Sequence, residues 1–494
     1  MMNEERCATV LGIDIGTTST KVAAFDPERG VFWLGSRESH IVSQHPGWAD
    51  GSPEQWWSNT VSLVQEYVST HGGSVSAIAV TGMVPTLIAL DEAGQPLTTS
   101  MQQNDARAVE EIAWVAEQLS QIDVLARTGS GVTQQSIAPK IEWLRRHDPA
   151  AFAATTHFVG AYDFIVRQLT DVIAVESNWA LESGLWDLHS DSWDREILDA
   201  CSISEKMLPQ VIASGQIIGG LTSEVSTLTG LAENVPVVMG GADHVLSTLA
   251  AGAVTEGETV VKIGGAGDVL VVTSEPVVDE RLFLDYHATP GQYLSNGCMA
   301  TSGAAIRWFA EQFAEGCSLD ELNAAVNQTP AGSSGVVFLP YLLGEKTPLH
   351  DPLARAAFVG MHLGTTRADL FRAVLEGVAY GVRHHLDIIQ ERGFSISVVR
   401  LTDGGARSAL LGQILADILG REVRRLGEGH SSALGAALIA AHAVGIIDNY
   451  DSLAEAVETI EVHSPHRGGA YERGYAIYRA LYPALKEIRA GGAL

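Results

Sequence analysis

A carboxylate followed closely by a glycine and three hydroxyls stands near the start of the chain, in Asp14-Ile15-Gly16-Thr17-Thr18-Ser19. Backbone N–H groups in such a turn make a small concave anion site, and a carboxylate beside it suits a hydrated magnesium ion. The chemistry this predicts is the holding of a metal–nucleotide phosphate tail. The same residues also suit a plain turn in which Asp14 bonds its own backbone. Neither a Walker A loop nor a dinucleotide fingerprint is present, because Gly-x-x-x-x-Gly-Lys-Ser/Thr is missing and a strand, not a helix, follows the glycine.

Other segments offer complementary chemistry. Val237-Val-Met-Gly-Gly-Ala-Asp-His244 runs from a strand through two glycines to Asp243 and His244 at the mouth of a helix. Asp243 there is either an N-cap or a general base exposed at a cleft. A second strand–glycine–strand unit, Val260-Val-Lys-Ile-Gly-Gly-Ala-Gly-Asp-Val-Leu-Val-Val272, repeats the opening theme and points to an internal duplication. The loop Met101-Gln-Gln-Asn-Asp-Ala-Arg107 gathers polar groups at an element end; it is a ligand loop or a solvated one with Asp105 capping the next helix. Thr402-Asp-Gly-Gly-Ala-Arg-Ser408 joins a strand to a helix, which fits a nucleoside ribose or phosphate.

The elements that must position these residues follow from pattern. Val10–Phe25 reads as a β-hairpin and Gly30–Ser36 as a third strand. Ser52 as N-cap with Pro53 behind it starts a helix running to about Tyr67. Val75–Val80 is a strand continued by Thr86–Leu90, and helices are predicted at Lys140–His147, Ala161–Leu169, Thr366–Gln390 and Ala409–Leu419. Asn178–Leu188 reads as extended, and Asp191–Asp199 as an acidic helix. Thr301 begins a helix with small residues on its first turn, the 339–348 segment is a loop, and an Ala-rich helix follows Ser431. His384 and His385 are adjacent, point to different faces, and read as surface or packing residues. Alternating strands and helices indicate an α/β layered architecture.

Composition bounds the class. A chain of 494 residues predicts several domains and a substantial core. Its formal charge of −28 opposes nucleic acid or an anionic membrane as main partner. Cys7, Cys201, Cys298 and Cys317 are scattered without a C-x-x-C, so a reducing compartment is expected. The acidic N-terminus has no signal-like apolar segment, and no run of 18 apolar residues occurs. A soluble cytoplasmic protein is expected.

The ordered set of motifs resembles the FGGY carbohydrate kinases of the actin-like ATPase superfamily. The residues carrying it are Gly12–Lys21, Gly240-Gly-Ala-Asp243, Gly264-Gly-Ala-Gly267, Ser302–Phe309, Pro340–Pro348, Leu375-Glu-Gly-Val-Ala-Tyr-Gly381 and Asp403–Ser408, over about residues 8–445. This resemblance implies two ribonuclease-H-like α/β domains with an interdomain cleft, a sugar-binding one over 1–250 and an ATP-binding one over 251–494. Closure of the domains is expected to exclude water from the transfer step. Position by position, Asp14 is similar to the family's magnesium-associated carboxylate. Gly16, Thr17, Thr18 and Ser19 resemble the first phosphate turn, and Gly264, Gly265 and Gly267 the second. Gly404, Gly405 and Ala406 resemble the adenosine loop, and Asp243 the catalytic base. Met83, Gln103, Asn104, Asp105 and His244 fall, with Asp243, where sugar contacts occur. The implied cofactors are ATP and Mg2+, and the implied partner is a small sugar or polyol. Family members are often homodimers, and nothing in the sequence decides the oligomeric state.

Departures bear on the acceptor. Val84 stands where xylulose kinases usually have His, Gln103 where they have Trp, and His244 where they have Asn or Gln. Gly265-Ala266 removes both hydroxyls of the usual second phosphate loop, and Asp403-Gly-Gly resembles the glycerol kinase form. A ketopentose such as xylulose is the expected acceptor. Gluconate, glycerol or another polyol is the alternative within the class, and a weakly active sugar- and nucleotide-binding sensor is the alternative outside it.

Overall fold

The computed structural model describes residues 8–427, 429–451, 457–466 and 469–490; Cys7 and the acidic N-terminal residues lie outside them. The chain divides into two compact units, Met1–Val254 with Leu284–Gln292 and Gly429–Glu455, and Thr255–Phe283 with Tyr293–Glu428 and Ala456–Leu494.

Six strands form the sheet of the first unit: β1 (Val10–Ile15), β2 (Ser19–Asp26), β3 (Gly30–Glu38), β4 (Ala77–Gly82), β5 (Ile217–Gly220) and β6 (Pro236–Ala242). Their spatial order is β5-β6-β4-β1-β2-β3. The hairpin β1–β2 is antiparallel, whereas β1 and β6 each pair with β4 in parallel. Every residue of β1 and β4 is buried, as the continuous apolar runs of parallel strands covered on both faces require. Between Met239 and Gly241 the register shifts by one residue, so Gly240 is an unpaired bulge. A Cβ there would overlap the Val80 carbonyl, and only glycine fits.

Helices close both faces. Ser52 accepts the Gln55 N–H at 3.1 Å and Pro53 opens the helix Pro53–His71, as its sequence signals predicted. The Ala-rich helix Ser432–Ala443 has almost no polar face and is buried nearly all round. Its small residues let it press against β1 and the helix Asp243–Ala250: a Cβ on Gly12 would overlap the Ala433 carbonyl, and one on Gly435 the Leu246 carbonyl.

In the second unit, β7 (Thr259–Ile263), β8 (Gly267–Thr273), β9 (Tyr293–Met299), β10 (Val399–Thr402), β11 (Val423–Leu426) and β12 (Thr459–His463) lie in the order β9-β8-β7-β10-β11-β12. β7 is antiparallel to β8 and parallel to β10, β10 is parallel to β11, and β12 returns antiparallel. This repeats the order and directions of the first sheet, in line with the duplication expected from the two glycine hairpins. The helix Arg367–Glu391 starts at a Thr366/Asp369 capping box and packs Phe371, Val378 and Tyr380 into the core. His384 and His385 both lie within that packing, and burial pushes the His385 imidazole down to about 4.

Two local expectations are corrected. Ser177–Glu182 is helical rather than extended, because the buried Glu176 carboxylate caps it by accepting the Asn178 N–H at 2.9 Å. The acidic helix starts late, at Arg195: Asp194 accepts the N–H groups of Glu196 and Ile197 and so sets its first turn. Ser192–Trp193 before it is a strand paired with Trp186–Asp187.

The close approach at Gly435 makes a testable demand. Gly435→Ala is expected to lower stability by about 1–3 kcal/mol in urea denaturation, the usual cost of overpacking. Gly131→Ala, where an added methyl meets no atom within 4 Å, is the control and should stay within about 0.5 kcal/mol. Equal midpoints for the two would contradict the packing described.

Candidate active site

Strand register brings the carboxylates of the first unit together. Asp14 on β1 stands beside Thr81 on β4, and Thr81 stands beside Gly241 on β6. Thr81 also donates its hydroxyl to the Gly241 carbonyl at 2.6 Å. Asp243 is the second residue past Gly241 and the first of its helix, so Asp14 and Asp243 emerge at the same end of three neighbouring parallel strands. Parallel α/β sheets bind ligands at this end. The N-cap of this helix is Ala242 and not Asp243, whose side chain keeps 36% of its exposure. The capping alternative does not describe it.

The first hairpin turns tightly, with the Gly16 N–H donated to the Ser19 carbonyl at 3.0 Å. Thr17 and Met83 meet there: the Thr17 hydroxyl lies 3.7 Å from the Met83 sulfur, and the Met83 N–H bonds the Ile15 carbonyl at 3.0 Å. Thr18 is exposed at the tip.

The 101–107 loop is braced from within. Asp105 is buried and accepts the Ala49 N–H at 2.6 Å, while Arg107 bridges it to Asp50. The Arg107 guanidinium also stacks 4.1 Å from the Trp48 ring centroid. Asp105 therefore neither caps the next helix, which starts at Val109, nor leaves its oxygens open. Gln103 is half-buried and Asn104 exposed. The fully buried Lys140 ammonium donates to the Gln102 and Pro85 carbonyls at 3.0 and 3.3 Å, and so ties this loop to the one carrying Met83. Burial pushes Lys140 down to about 8, against the pull of Asp105 and Glu182.

Around His244 lies a set of groups that the sequence reading missed. Its Nε2 is 2.9 Å from Asp285 Oδ2, and its Nδ1 is 3.5 Å from Asp243 Oδ1. Glu182 completes the cluster, with ligand-type atoms of Glu182, His244 and Asp285 all within 4.8 Å of one another. Burial opposes the imidazolium, but Asp285, Asp243 and Glu182 together hold His244 well above its ordinary value. Burial and the Asp285 charge push Glu182 well up. One signal was available for Asp285: it is the lone charge in Phe283-Leu-Asp-Tyr286.

In the second unit the glycine turn folds onto a helix start. Gly265 accepts the N–H groups of Ser302 and Ala304 at 3.0 and 3.1 Å, and the Ser302 hydroxyl donates to Ala266. Gly303 is obligatory, since a Cβ there would overlap the Gly264 carbonyl. Gly264, Gly303, Gly404 and Gly405 share a cavity of about 410 Å³ with apolar Ile306, Leu375 and Leu411. Ala406 is buried beneath the same junction, and Gly267 is buried where β8 begins. Two cations reach the cavity, Arg307 and Arg407. The Arg307 guanidinium stands 3.4 Å from where a Gly265 Cβ would lie, and no carboxylate among the described residues pairs with it. It thus covers the stretch where the loop lacks its usual hydroxyls. An apolar slot with backbone amides and cations at one end can hold an adenine nucleotide. Among the described residues, no helix is long and apolar enough to cross a membrane.

Known proteins resemble the chain throughout. The N-terminal domain of the FGGY family of carbohydrate kinases matches residues 9–250, and its C-terminal domain matches residues 260–444. The solved structure of a xylulose kinase from Rhodospirillum rubrum is 38% identical, with a TM-score of 0.92 over 97% of this chain and 99% of that one. A xylulose kinase of Staphylococcus epidermidis is 29% identical over 97% of this chain and 98% of its own length. A gluconokinase of Bacillus subtilis is 28% identical over 96% and 94%. Both sheets thus have the actin-like ATPase fold, and the chain belongs to the FGGY family of carbohydrate kinases.

Proposed function

We propose that the protein transfers the γ-phosphoryl group of ATP to a hydroxyl of an uncharged ketose, a ketopentose such as xylulose, with Asp243 as general base. The observation that carries this reading is the placement of Asp243: a half-exposed carboxylate at the first position of its helix, at the sheet end where Asp14 also emerges. Asp243 accepts the proton of the acceptor hydroxyl as its oxygen attacks the γ-phosphorus. The bond from phosphorus to the ADP oxygen breaks, and the proton later passes from Asp243 to solvent.

The remaining work is orientation and charge. Gly404, Gly405 and Ala406 border the slot suited to adenosine, and the turn of Gly264, Gly265 and Gly267 lets phosphates approach its bare backbone beside the Arg307 cation. In the first unit the Gly16–Ser19 turn supplies further amide and hydroxyl donors. Asp14 suits the magnesium that accompanies ATP, because a hard carboxylate oxygen is the donor this ion prefers and one such ligand suffices when phosphates supply others. When bound, the ion would neutralise charge on the phosphates. Met83, with Gln103 and Asn104, lies on loops held in register by Lys140, which suits an acceptor site.

Electrostatics favour a neutral acceptor over gluconate. The Asp243 side chain keeps 36% of its exposure, so the carboxylate of an aldonate would face a like charge there.

Two measurements test the reading. Asp243→Ala should lower kcat by about a thousandfold in a coupled ADP-release assay, the scale of a lost general base, with ATP binding retained. Near-normal turnover would remove Asp243 from this role. In a panel of xylulose, ribulose, glycerol, erythritol and gluconate, the highest kcat/KM should fall on a ketopentose and the lowest on gluconate. Preference for gluconate would overturn the electrostatic argument, and tight sugar binding without turnover on any member would select a sensor.

A further inference from the structure

We propose that His244 and Asp285 form a positioning pair for Asp243, setting the orientation and charge environment of its carboxylate, and that His244 does not itself read the sugar. The inference rests on Asp243 serving as the base.

Both ring nitrogens of His244 face carboxylates. Nε2 is hydrogen-bonded to Asp285 Oδ2 at 2.9 Å, and Nδ1 faces Asp243 Oδ1 at an ion-pair distance of 3.5 Å, so the ring is turned toward the base on one side and its buried partner on the other. The ring is nearly buried and Asp285 is 1% exposed, whereas the Asp243 side chain keeps 36% of its exposure. Two inner members of the chain are thus fixed by packing, and the outer one faces solvent. A nucleophile-activating carboxylate oriented by a second group, itself oriented by a third, is a recurring arrangement at transfer sites. Here the orienting group carries charge.

The groups facing His244 are few. Asp243 precedes it on its own helix, Asp285 faces it from Leu284–Gln292, and Glu182 from the end of the helix Ser177–Glu182. Behind these, Glu176 acts on Asp285 and Lys140 interacts with Glu182. Burial pushes Glu182 well up, and the closest contact of the His244 ring is with Asp285 at 2.9 Å. Removing the imidazolium would take away the positive charge that lies 3.5 Å from the Asp243 carboxylate. Protonation of the base would then occur at higher pH, and the acid limb of kcat would move up. For unit charges 3.5 Å apart, even water-like screening makes this about one pH unit or more.

The test uses full-length His244→Gln, Asp285→Asn and their double variant, with the acceptor of highest kcat/KM in the panel. Expected for His244→Gln are a kcat about tenfold lower, an acceptor KM within about twofold of wild type, and an acid limb raised by about one unit or more. The double variant should lose no more than the worse single one, since both act through one chain. A raised acceptor KM with unchanged kcat and acid limb would make His244 a sugar contact and overturn the proposal. So would losses that multiply in the double variant. Thermal unfolding and ATP binding report folding. If His244→Gln does not fold, His244→Asn, which also lacks the charge, is measured in its place. Failure of the base reading is separate: it appears as turnover retained in Asp243→Ala.

Discussion

The bulge at Gly240 sets the phase of everything that follows it. Along β6 the pairing passes from Met239–Val80 to Gly241–Thr81, and the extra residue has no partner. Side chains alternate along a strand, so one residue more or less turns the whole strand end over. With the bulge, Gly241 aligns with Thr81, which in turn aligns with Asp14, and Asp243 leaves the sheet at the same edge. The local requirement is steric and simple: the Val80 carbonyl occupies the place of a Cβ. Gly12 and Gly435 impose the same kind of constraint on the helices behind. The placement of Asp14 and Asp243 thus depends on three positions where backbone meets backbone.

What could be read from the sequence is what local chemistry encodes. Glycine between apolar β-branched runs marks both hairpins, and Ser52-Pro53 and Ser408 mark helix starts that the structure reproduces. Asp14 and Asp243 were visible because each sits alone beside glycines at a strand end. Glu182 was hidden because its helix is capped by a buried glutamate, which no propensity argument anticipates. Asp285 was hidden by distance along the chain, since its partner lies 41 residues earlier. Asp105 looked like a ligand or a cap, yet it serves to neutralise Arg107 and to tie down residue 49. Such long-range ion pairs leave no periodic trace.

The duplication shows how one topology is put to two uses. The turn after β1 is Gly16-Thr-Thr-Ser19 and the corresponding turn after β7 is Gly264-Gly-Ala-Gly267. The first offers hydroxyls; the second offers bare backbone, spent largely on the helix start at Ser302–Ala304. The parallel neighbour of β1 leads into Met83 and a packed loop, whereas that of β7 leads into Asp403 and the open glycines of the cavity. β6 delivers Asp243 to a helix, whereas β11 ends in Leu426. The two sheets are alike in strand order and direction, and their strand ends differ: a half-exposed carboxylate in one, an open glycine-lined cavity in the other.

Charge is divided in the same way. A chain with a net −28 repels a polyphosphate at long range, so affinity for one must come from short-range donors. The second unit offers the exposed guanidinium of Arg307 above Gly265. The first unit gathers Glu182, His244 and Asp285 behind Asp243. Arginine is a sound replacement for the missing hydroxyls on physical grounds. A hydroxyl gives one donor to a phosphate oxygen, while a guanidinium gives several in a fixed fork together with a full charge. Loss of Thr and Ser from the second turn therefore does not by itself argue for a silent enzyme. The stronger argument is that Asp14 and Asp243 leave the sheet at the same end of neighbouring parallel strands, with His244 and Asp285 paired behind Asp243.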